Sequence, residues 1–301
     1  MRLAFAALGS LALVACHAAP PAPAGRRSIT DGIGRAVALG AVRRVVSLAP
    51  SSTEIIFALG AGDALVGVDR YSDFPAAARA LPQVGTDTEP SLERILGLKP
   101  DLVFVATSAN AQGSVETMAR AGLPVYVSRA DSLPAIFADI EGIGRALDRS
   151  REASVLVAAL RARIETVTAR VRTLAPSSCA VVVWPSPLIV AARGSHVGDL
   201  LAAAGGRNVV EEATQAFPTY STERLVKLAP EVLVVGTHST GAPSLDPLLQ
   251  LASVPAVRDK RVHLVDGDLL FRPGPRVVDG IATLVPLLHP ELAGPAHAVT
   301  R

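Results

Sequence analysis

The sequence predicts an α/β protein of two lobes, each with a parallel-type sheet flanked by helices, joined by one long backbone helix. Three observations support this prediction. A fifteen-residue phrase occurs twice, at 91–105 and at 221–235, with six identical positions. Segments typical of buried strands alternate with helical segments on both sides of the middle of the chain. Between the two series lies the longest helical pattern of the sequence.

Each copy of the repeated phrase predicts the same supersecondary unit. A short helix is capped by Ser91 or Ser221, ends before Pro100 or Pro230, and leads into a buried strand. A unit duplicated this far apart indicates two lobes of similar construction.

The predicted N-terminal lobe spans residues 27–148 and opens with a β-hairpin that turns either at 31–32 or at 32–34. It continues with strands at 45–48, 65–68, 102–106 and 124–128 and helices at 51–59, 74–80, 91–97 and 112–121. The predicted C-terminal lobe, residues 176–301, has strands at 180–184, 208–210, 231–235 and 262–265 and helices at 197–204, 221–228 and 276–288.

The linking helix is predicted over residues 149–175. Its apolar residues recur at steps of three and four, and arginines cover its other faces; the apolar series is Leu156, Leu160, Ile164, Val167, Val171 and Leu174. A helix of about 25 residues is about 37 Å long. Because a helix resists bending, we expect little closure of the lobes around a ligand.

The N-terminus has the pattern of an export signal. After Met1–Arg2, residues 3–15 are apolar and small, and a cysteine follows. This pattern resembles a bacterial lipoprotein signal peptide over residues 1–15, which is cut so that Cys16 receives lipid. An ordinary export signal is the alternative, whereas the apolar run is short of the roughly 20 residues of a membrane-spanning helix.

The signal places the mature chain in an extracytoplasmic compartment, the periplasm or the cell surface, anchored to a membrane through Cys16. Residues 16–26, rich in Ala and Pro, are predicted to be a flexible tether. Cys179, the other cysteine of the chain, is predicted to be a buried, small apolar side chain of a strand.

Composition and motifs argue against several function classes. The net charge is +2 and no basic cluster contains interleaved aromatic residues, so nucleic-acid binding has no support. Nucleophile-elbow, phosphate-loop and zinc-protease motifs are absent from the sequence, and its six histidines are scattered without ligand spacing. We therefore expect no enzymatic activity, no cofactor and no resident metal. A metal site assembled from both lobes stays open as an alternative.

Two glutamates occupy equivalent positions in the repeat. Glu93 and Glu223 each fall at the third position of a phrase that begins with serine. One interpretation is a local capping arrangement at a helix N-terminus. The other is that each lobe presents one acidic contact to a two-fold symmetric partner, since charges at a rim guide orientation and encounter.

Three segments, 45–60, 66–75 and 92–103, resemble the helical-backbone (class III) periplasmic substrate-binding proteins of ABC importers. Members of that family carry cobalamin, haem or ferric siderophores between two α/β lobes bridged by a long helix. The resemblance covers about residues 27 to 290. It implies a small-molecule metal-chelate ligand and a permease dimer in the inner membrane, with Glu93 and Glu223 matching the glutamates that engage permease arginines.

Within the family, the segment Tyr71–Pro75 resembles the cobalamin-binding branch. That resemblance implies ligand contacts by Tyr71, Phe217 and the pair Asp268 and Arg272. Trp184 is a further candidate, since it ends a predicted strand at the edge where such folds open onto a ligand.

Other ligands stay open at this point. Asp87 stands where the cobalamin branch has an aromatic residue, and an aromatic content of 4% weakens the surface for stacking a flat macrocycle. Haem would take an axial ligand from Tyr71, Tyr126 or Tyr220, and a siderophore would use arginines such as Arg193 or Arg272. A corrinoid is the favoured cargo; an extracytoplasmic enzyme or metal chaperone on the same fold is the more remote alternative.

Overall fold

The computed structural model describes residues 27–86, 88–107, 111–211, 214–238 and 241–292. Two sheets with parallel strands, flanked by helices, account for most of this part of the chain, which confirms the predicted α/β class. The predicted signal peptide, the tether, Cys16 and Asp87 lie outside the described residues.

The N-terminal lobe begins with an antiparallel hairpin of β1 (Arg27–Thr30) and β2 (Ala36–Leu39). Its sheet contains β3 (Val45–Ser47), β4 (Leu65–Val68), β5 (Leu102–Ala106) and β6 (Val125–Ser128). All four strands are parallel, in the order β4-β3-β5-β6. Its helices are α1 (Pro50–Ala58), α2 (Leu92–Gly97) and α3 (Ala111–Arg120), with short 3-10 helices at Gly62–Ala64 and Ala76–Ala80.

Helix α4 (Leu133–Ala146) is not among the predicted elements. Gly142 and Gly144 lower its intrinsic helix propensity, which hides the pattern in the sequence. The packing explains both glycines. A Cβ at Gly142 would collide with the Tyr126 hydroxyl, and one at Gly144 would press on Ala153 of the next helix.

Helix α5 (Ser150–Ala169) is the linking helix, and it is shorter than predicted. Its 20 residues correspond to about 30 Å. Residues 170–174 continue as turns whose amides bond three or four residues back, so the apolar spacing persists after the regular helix ends. Within the described ranges, no helix has both the length and the apolar character needed to cross a bilayer.

The C-terminal lobe contains β7 (Ser177–Pro185), β8 (Leu188–Val190), β9 (Gly206–Asn208), β10 (Val232–Gly236) and β11 (Val262–Val265). Its helices are α6 (His196–Ala203), α7 (Thr222–Leu228), α8 (Asp246–Leu249), α9 (Pro255–Arg258), α10 (Asp268–Phe271) and α11 (Val277–Leu288), followed by a 3-10 helix at Pro290–Leu292. Strand β8 and the short helices α8, α9 and α10 are not among the predicted elements.

The two sheets repeat one strand order. In the C-terminal lobe, β9, β7, β10 and β11 are parallel neighbours, matching β4-β3-β5-β6, and β8 adds an antiparallel segment beside β7. The repeated units match in detail. Lys99 and Ala229 both adopt positive φ before the proline. Asp101 and Glu231 then each accept a backbone N–H at the start of the first strand of the sheet.

One cluster of buried apolar side chains runs through both lobes. It joins α4 and α5 to α6 and α11, with members that include Ile136, Ile140, Val157, Leu160, Val197, Leu200, Ile281 and Leu284. The opposite face of each sheet packs on a separate cluster of its own lobe. Because the lobes share close-packed side chains as well as α5, a large change in their relative position would disrupt this core.

Candidate functional site

The candidate site lies where the carboxyl ends of strands from both sheets meet. Loop 69–75 follows β4 in the N-terminal lobe, and α10 follows β11 in the C-terminal lobe. A hydrogen bond from Arg272 to Asp73 joins the two segments. In α/β folds, ligands bind outside the carboxyl ends of parallel strands.

Loop 69–75 is held from beneath by a chain of polar contacts. The Asp69 carboxylate accepts the Tyr71 amide (2.9 Å) and the Ser72 hydroxyl. The Ser72 hydroxyl also lies 2.8 Å from that of Thr53 on α1. These bonds fix the loop while the rings of Tyr71 and Phe74 remain exposed to solvent.

Aromatic rings line one side of α10. Trp184, near the end of β7, lies 4.9 Å from the His238 ring, which stacks on Phe271 at 5.6 Å. The Trp184 indole donates to the Ser186 carbonyl (2.9 Å), and His238 Nε2 lies 2.6 Å from the Val183 carbonyl. Trp184 is thereby locked at the carboxyl end of its strand.

Phe217 has an exposed ring and is connected to α10 through His196. It meets the His196 ring edge-on at 6.1 Å, and His196 Nε2 lies 2.9 Å from the Leu270 carbonyl. Burial lowers the pKa of His196 to about 4, so the imidazole is neutral and donates to that carbonyl. The histidine therefore positions Phe217 without adding charge.

Glu54 and Arg276 form a two-pronged ion pair between the lobes. Arg276 Nε donates to Glu54 Oε2 (2.9 Å), and Nη2 donates to Oε1 (2.6 Å). The same guanidinium lies over the Phe74 ring, 4.3 Å from its centre. The pair fixes α1 of the N-terminal lobe against the segment that follows α10.

Arg272 extends this network to two further carboxylates. Its Nη1 donates to Asp73 Oδ1 (2.7 Å) and lies 3.5 Å from Glu54 Oε1, while its Nη2 lies 2.8 Å from Asp268 Oδ2. Burial would raise the pKa of Asp73, but the hydrogen bond and charge of Arg272 outweigh it, and the pKa falls. Burial raises the pKa of Asp268, and there Arg272 does not compensate fully.

Five residues proposed as ligand contacts thus lie around one site. Asp268 and Arg272 form an ion pair, and Tyr71, Trp184 and Phe217 lie beside the segments that carry this pair. Two other cleft candidates are corrected. Tyr126 is buried in a core, and Tyr220 is buried with Arg224 packed on its ring. Arg193 is exposed and pairs with Glu211, and its proposed siderophore contact stays a prediction.

Four residues of the ion-pair network and its ring contact are not among the sequence candidates: Glu54, Asp73, Phe74 and Arg276. One signal could have indicated Glu54, because a carboxylate directly before the apolar run 55–57 is expected to be buried and therefore paired. Two arginines four residues apart, Arg272 and Arg276, are complementary partners for it.

Glu93 and Glu223 occupy equivalent, exposed positions in the first turns of α2 and α7. The hydroxyls of Ser91 and Ser221 accept the amides of the arginines that follow (3.4 and 3.3 Å), as predicted for helix caps. Hydrogen bonds to its own amide and to Ser221 lower the pKa of Glu223, so capping is part of its role. Because a crossover helix runs antiparallel to its strands, both first turns lie toward the carboxyl edges of the sheets.

Within the described ranges, no three His, Cys, Asp or Glu side chains are grouped so that they could hold a metal ion. Cys179 is buried, as predicted, and burial raises the pKa of its thiol to about 12.

Residues 45–269 match the family model described as periplasmic binding protein. The chain is 28% identical over 242 residues to the vitamin B12-binding protein of Vibrio campbellii, covering 80% of this chain and 88% of that relative.

Two solved structures share the fold. The periplasmic vitamin B12 binding protein of Vibrio cholerae superposes with a TM-score of 0.73 at 27% identity, covering 82% of this chain and 97% of that one. The apo form of a periplasmic heme-binding protein from Roseiflexus sp. RS-1 gives 0.74 at 30% identity, covering 83% and 98%.

Proposed function

Since this chain belongs to the periplasmic binding protein family, we propose that it is the extracytoplasmic substrate-binding protein of an ABC importer and that its cargo is a corrinoid. The ligand would lie between the two lobes and be released to a permease. The named relatives are binding proteins, and we expect no covalent chemistry. Lipid attachment at Cys16 remains part of the proposal.

The observation that carries the proposal is the set of aromatic rings around the network between the lobes. Tyr71 and Phe74 come from the N-terminal lobe, and Phe217 from the C-terminal lobe, and all three rings are exposed. Exposed rings from both lobes, beside one network of ion pairs, fit a large, flat, largely apolar macrocycle, because each ring contributes a wide contact area. The vitamin B12-binding relatives favour a corrinoid among such macrocycles.

Haem is the second candidate, and two observations support it. The Roseiflexus heme-binding protein shares the fold at 30% identity. Tyr71 is exposed at the site, whereas Tyr126 and Tyr220 are buried, so Tyr71 is the tyrosine among the three considered that could ligate haem iron. A ferric siderophore is the third candidate.

Visible spectroscopy separates these ligands. Purified protein is incubated separately with cyanocobalamin, haemin and a ferric hydroxamate, and spectra are recorded after desalting. We expect retained corrin absorbance at about one ligand per chain. A Soret band shifted by axial ligation would support haem instead, and retention of no coloured compound would contradict the proposal.

Two matched variants test whether the aromatic rings hold the ligand. Phe217→Ala should weaken corrinoid binding about tenfold or more, which corresponds to about 1.4 kcal/mol. Leu249→Ala removes another exposed apolar side chain, on α8, and should leave binding unchanged.

Permease docking gives a second prediction. Replacing Glu93 and Glu223 together with alanine should abolish permease-dependent uptake while leaving ligand affinity nearly unchanged, because both carboxylates are exposed and outside the ligand site. Uptake of labelled cobalamin into reconstituted vesicles and equilibrium binding measure the two effects. The control replaces Glu116 and Glu165, exposed glutamates of α3 and α5. A loss of ligand affinity in the Glu93/Glu223 variant would contradict the docking role.

A further inference from the structure

The guanidinium groups between the lobes are already bonded to protein oxygen atoms. Arg276 is held by both oxygens of Glu54, and Arg272 reaches Asp73, Asp268 and Glu54. In sites that bind ligand carboxylates, arginine offers its fork of N–H donors to the ligand. Here, protein carboxylates occupy these forks.

Within this network, the carboxylates of Asp73 and Asp268 are more exposed to solvent than the guanidinium groups of Arg272 and Arg276. The side chains of Asp73 and Asp268 are 40% and 29% exposed, whereas those of Arg272 and Arg276 are 9% and 16% exposed. A ligand entering between the lobes would therefore meet the oxygens of Asp73 and Asp268 before the guanidinium groups of Arg272 and Arg276, although the nearby Arg79 is itself 69% exposed. Such oxygens accept hydrogen bonds from amide N–H groups and repel carboxylates.

A neighbouring arginine is also engaged with Asp73. Arg79 Nε donates to the Asp73 carbonyl (3.1 Å), and Arg79 Nη2 lies 4.0 Å from Asp73 Oδ2. The Asp73 carboxylate thus holds Arg272 and lies close to Arg79. Replacing it with an uncharged group would leave both guanidinium groups more available to a ligand.

We propose that Asp73 and Asp268, backed by the arginine–glutamate network, make this site select macrocycles whose side chains end in amides or esters over the same macrocycles ending in carboxylates. The proposal rests on the proposed function in one respect: the ligand is taken to lie between the lobes beside loop 69–75. The selectivity concerns the groups at the periphery of the macrocycle, so it applies to a corrin and a porphyrin alike.

The test uses two matched ligand pairs. The corrin pair is cyanocobalamin and its derivative with one peripheral amide hydrolysed to a carboxylate, and the porphyrin pair is haem dimethyl ester and haem. Binding is followed by quenching of Trp184, the one tryptophan of the chain. We expect the uncharged member of a bound pair to bind at least tenfold more tightly at pH 7.5.

Asp73→Asn tests the stated cause. The change is isosteric at a partly exposed position, and it should reduce the discrimination to less than about threefold, chiefly by improving affinity for the carboxylate form. Asp279→Asn is the matched control, because Asp279 pairs with Arg163 at 2.8 Å with 47% exposure on another surface. Its discrimination should equal that of the wild type.

The outcomes separate this proposal from the proposed function. If the two members of the corrin pair bind equally tightly, the proposed selectivity is wrong and the corrinoid function stands. The same holds if Asp73→Asn leaves the ratio of the two affinities unchanged. If only the porphyrin pair binds and the ester is preferred, the corrinoid function fails and the selectivity stands. A preference for carboxylates would indicate pairing with another cation, such as the exposed Arg70 of the same loop, and would overturn the proposal. Binding of neither pair would overturn both.

Discussion

Replacing Glu54 with alanine is expected to lower the free energy of unfolding by about 3–5 kcal/mol. The Glu54 side chain is 2% exposed and accepts hydrogen bonds from both Arg276 and Arg272. Its removal leaves a guanidinium buried without its carboxylate, and this penalty exceeds the loss of one surface ion pair. Urea unfolding followed by circular dichroism measures the change.

Two further variants are compared with Glu54→Ala in the same unfolding measurement. Glu54→Gln keeps the shape and one acceptor oxygen, so we expect an intermediate loss of about 1–3 kcal/mol. Glu165→Ala removes an exposed partner of Arg172 and should change stability by no more than about 0.5 kcal/mol. If Glu54→Ala stayed within 1 kcal/mol of the wild type, the network would not stabilise the contact between the lobes.

Asp139→Asn is expected to remove a pH-dependent loss of stability. Asp139 lies on α4 and is buried, and the hydroxyls of Ser128 and Tyr126 face its carboxylate. Burial raises its pKa to about 7, although the hydroxyls of Ser128 and Tyr126 act in the opposite direction. The folded state therefore holds a proton that the unfolded state has released near the ordinary value of 3.8.

The sign of the effect follows from this order of pKa values. The stabilising contribution of protonated Asp139 is complete below the unfolded pKa and is lost as the pH rises through the folded value. Between pH 5 and pH 8, the wild type should lose about 2–3 kcal/mol through this group. The variant has no carboxyl group to titrate, so its stability relative to the wild type should rise by that amount over the same window.

A difference measurement isolates Asp139 from other titrating groups. Burial lowers the pKa of His196, so this group makes the protein less stable as the pH falls. Its contribution therefore opposes that of Asp139. Both proteins keep that histidine, so its contribution cancels when unfolding free energies are subtracted at each pH. Asp279→Asn, at an exposed carboxylate, is the matched control and should give a smaller difference. A constant difference for Asp139→Asn would show that its carboxyl does not titrate in this range.

Local sequence patterns predict several strands correctly but are insufficient for helix α4 and for the contact between the lobes. Strands β4, β5 and β11 have the predicted bounds, because a short segment rich in Val and Leu is visible within a few positions of the chain. Helix α4 was missed because its glycines serve contacts with Tyr126 and Ala153, which belong to other elements. The linking helix was expected to hold two separate lobes, whereas side chains of α4, α5, α6 and α11 form a core that both lobes share.

The amino-acid sequence by itself determined the duplicated α/β unit, the order of its elements, the linking helix and the equivalent places of Glu93 and Glu223. These features depend on residues that lie close together in the chain or recur in a repeated phrase. Only the tertiary structure decided which charges meet between the lobes. Glu54 and Arg272 are 218 positions apart, and their pairing follows from the packing of one lobe on the other. The charge that a ligand meets there is set by which side chains this packing buries and which it leaves exposed, and no local pattern carries that information.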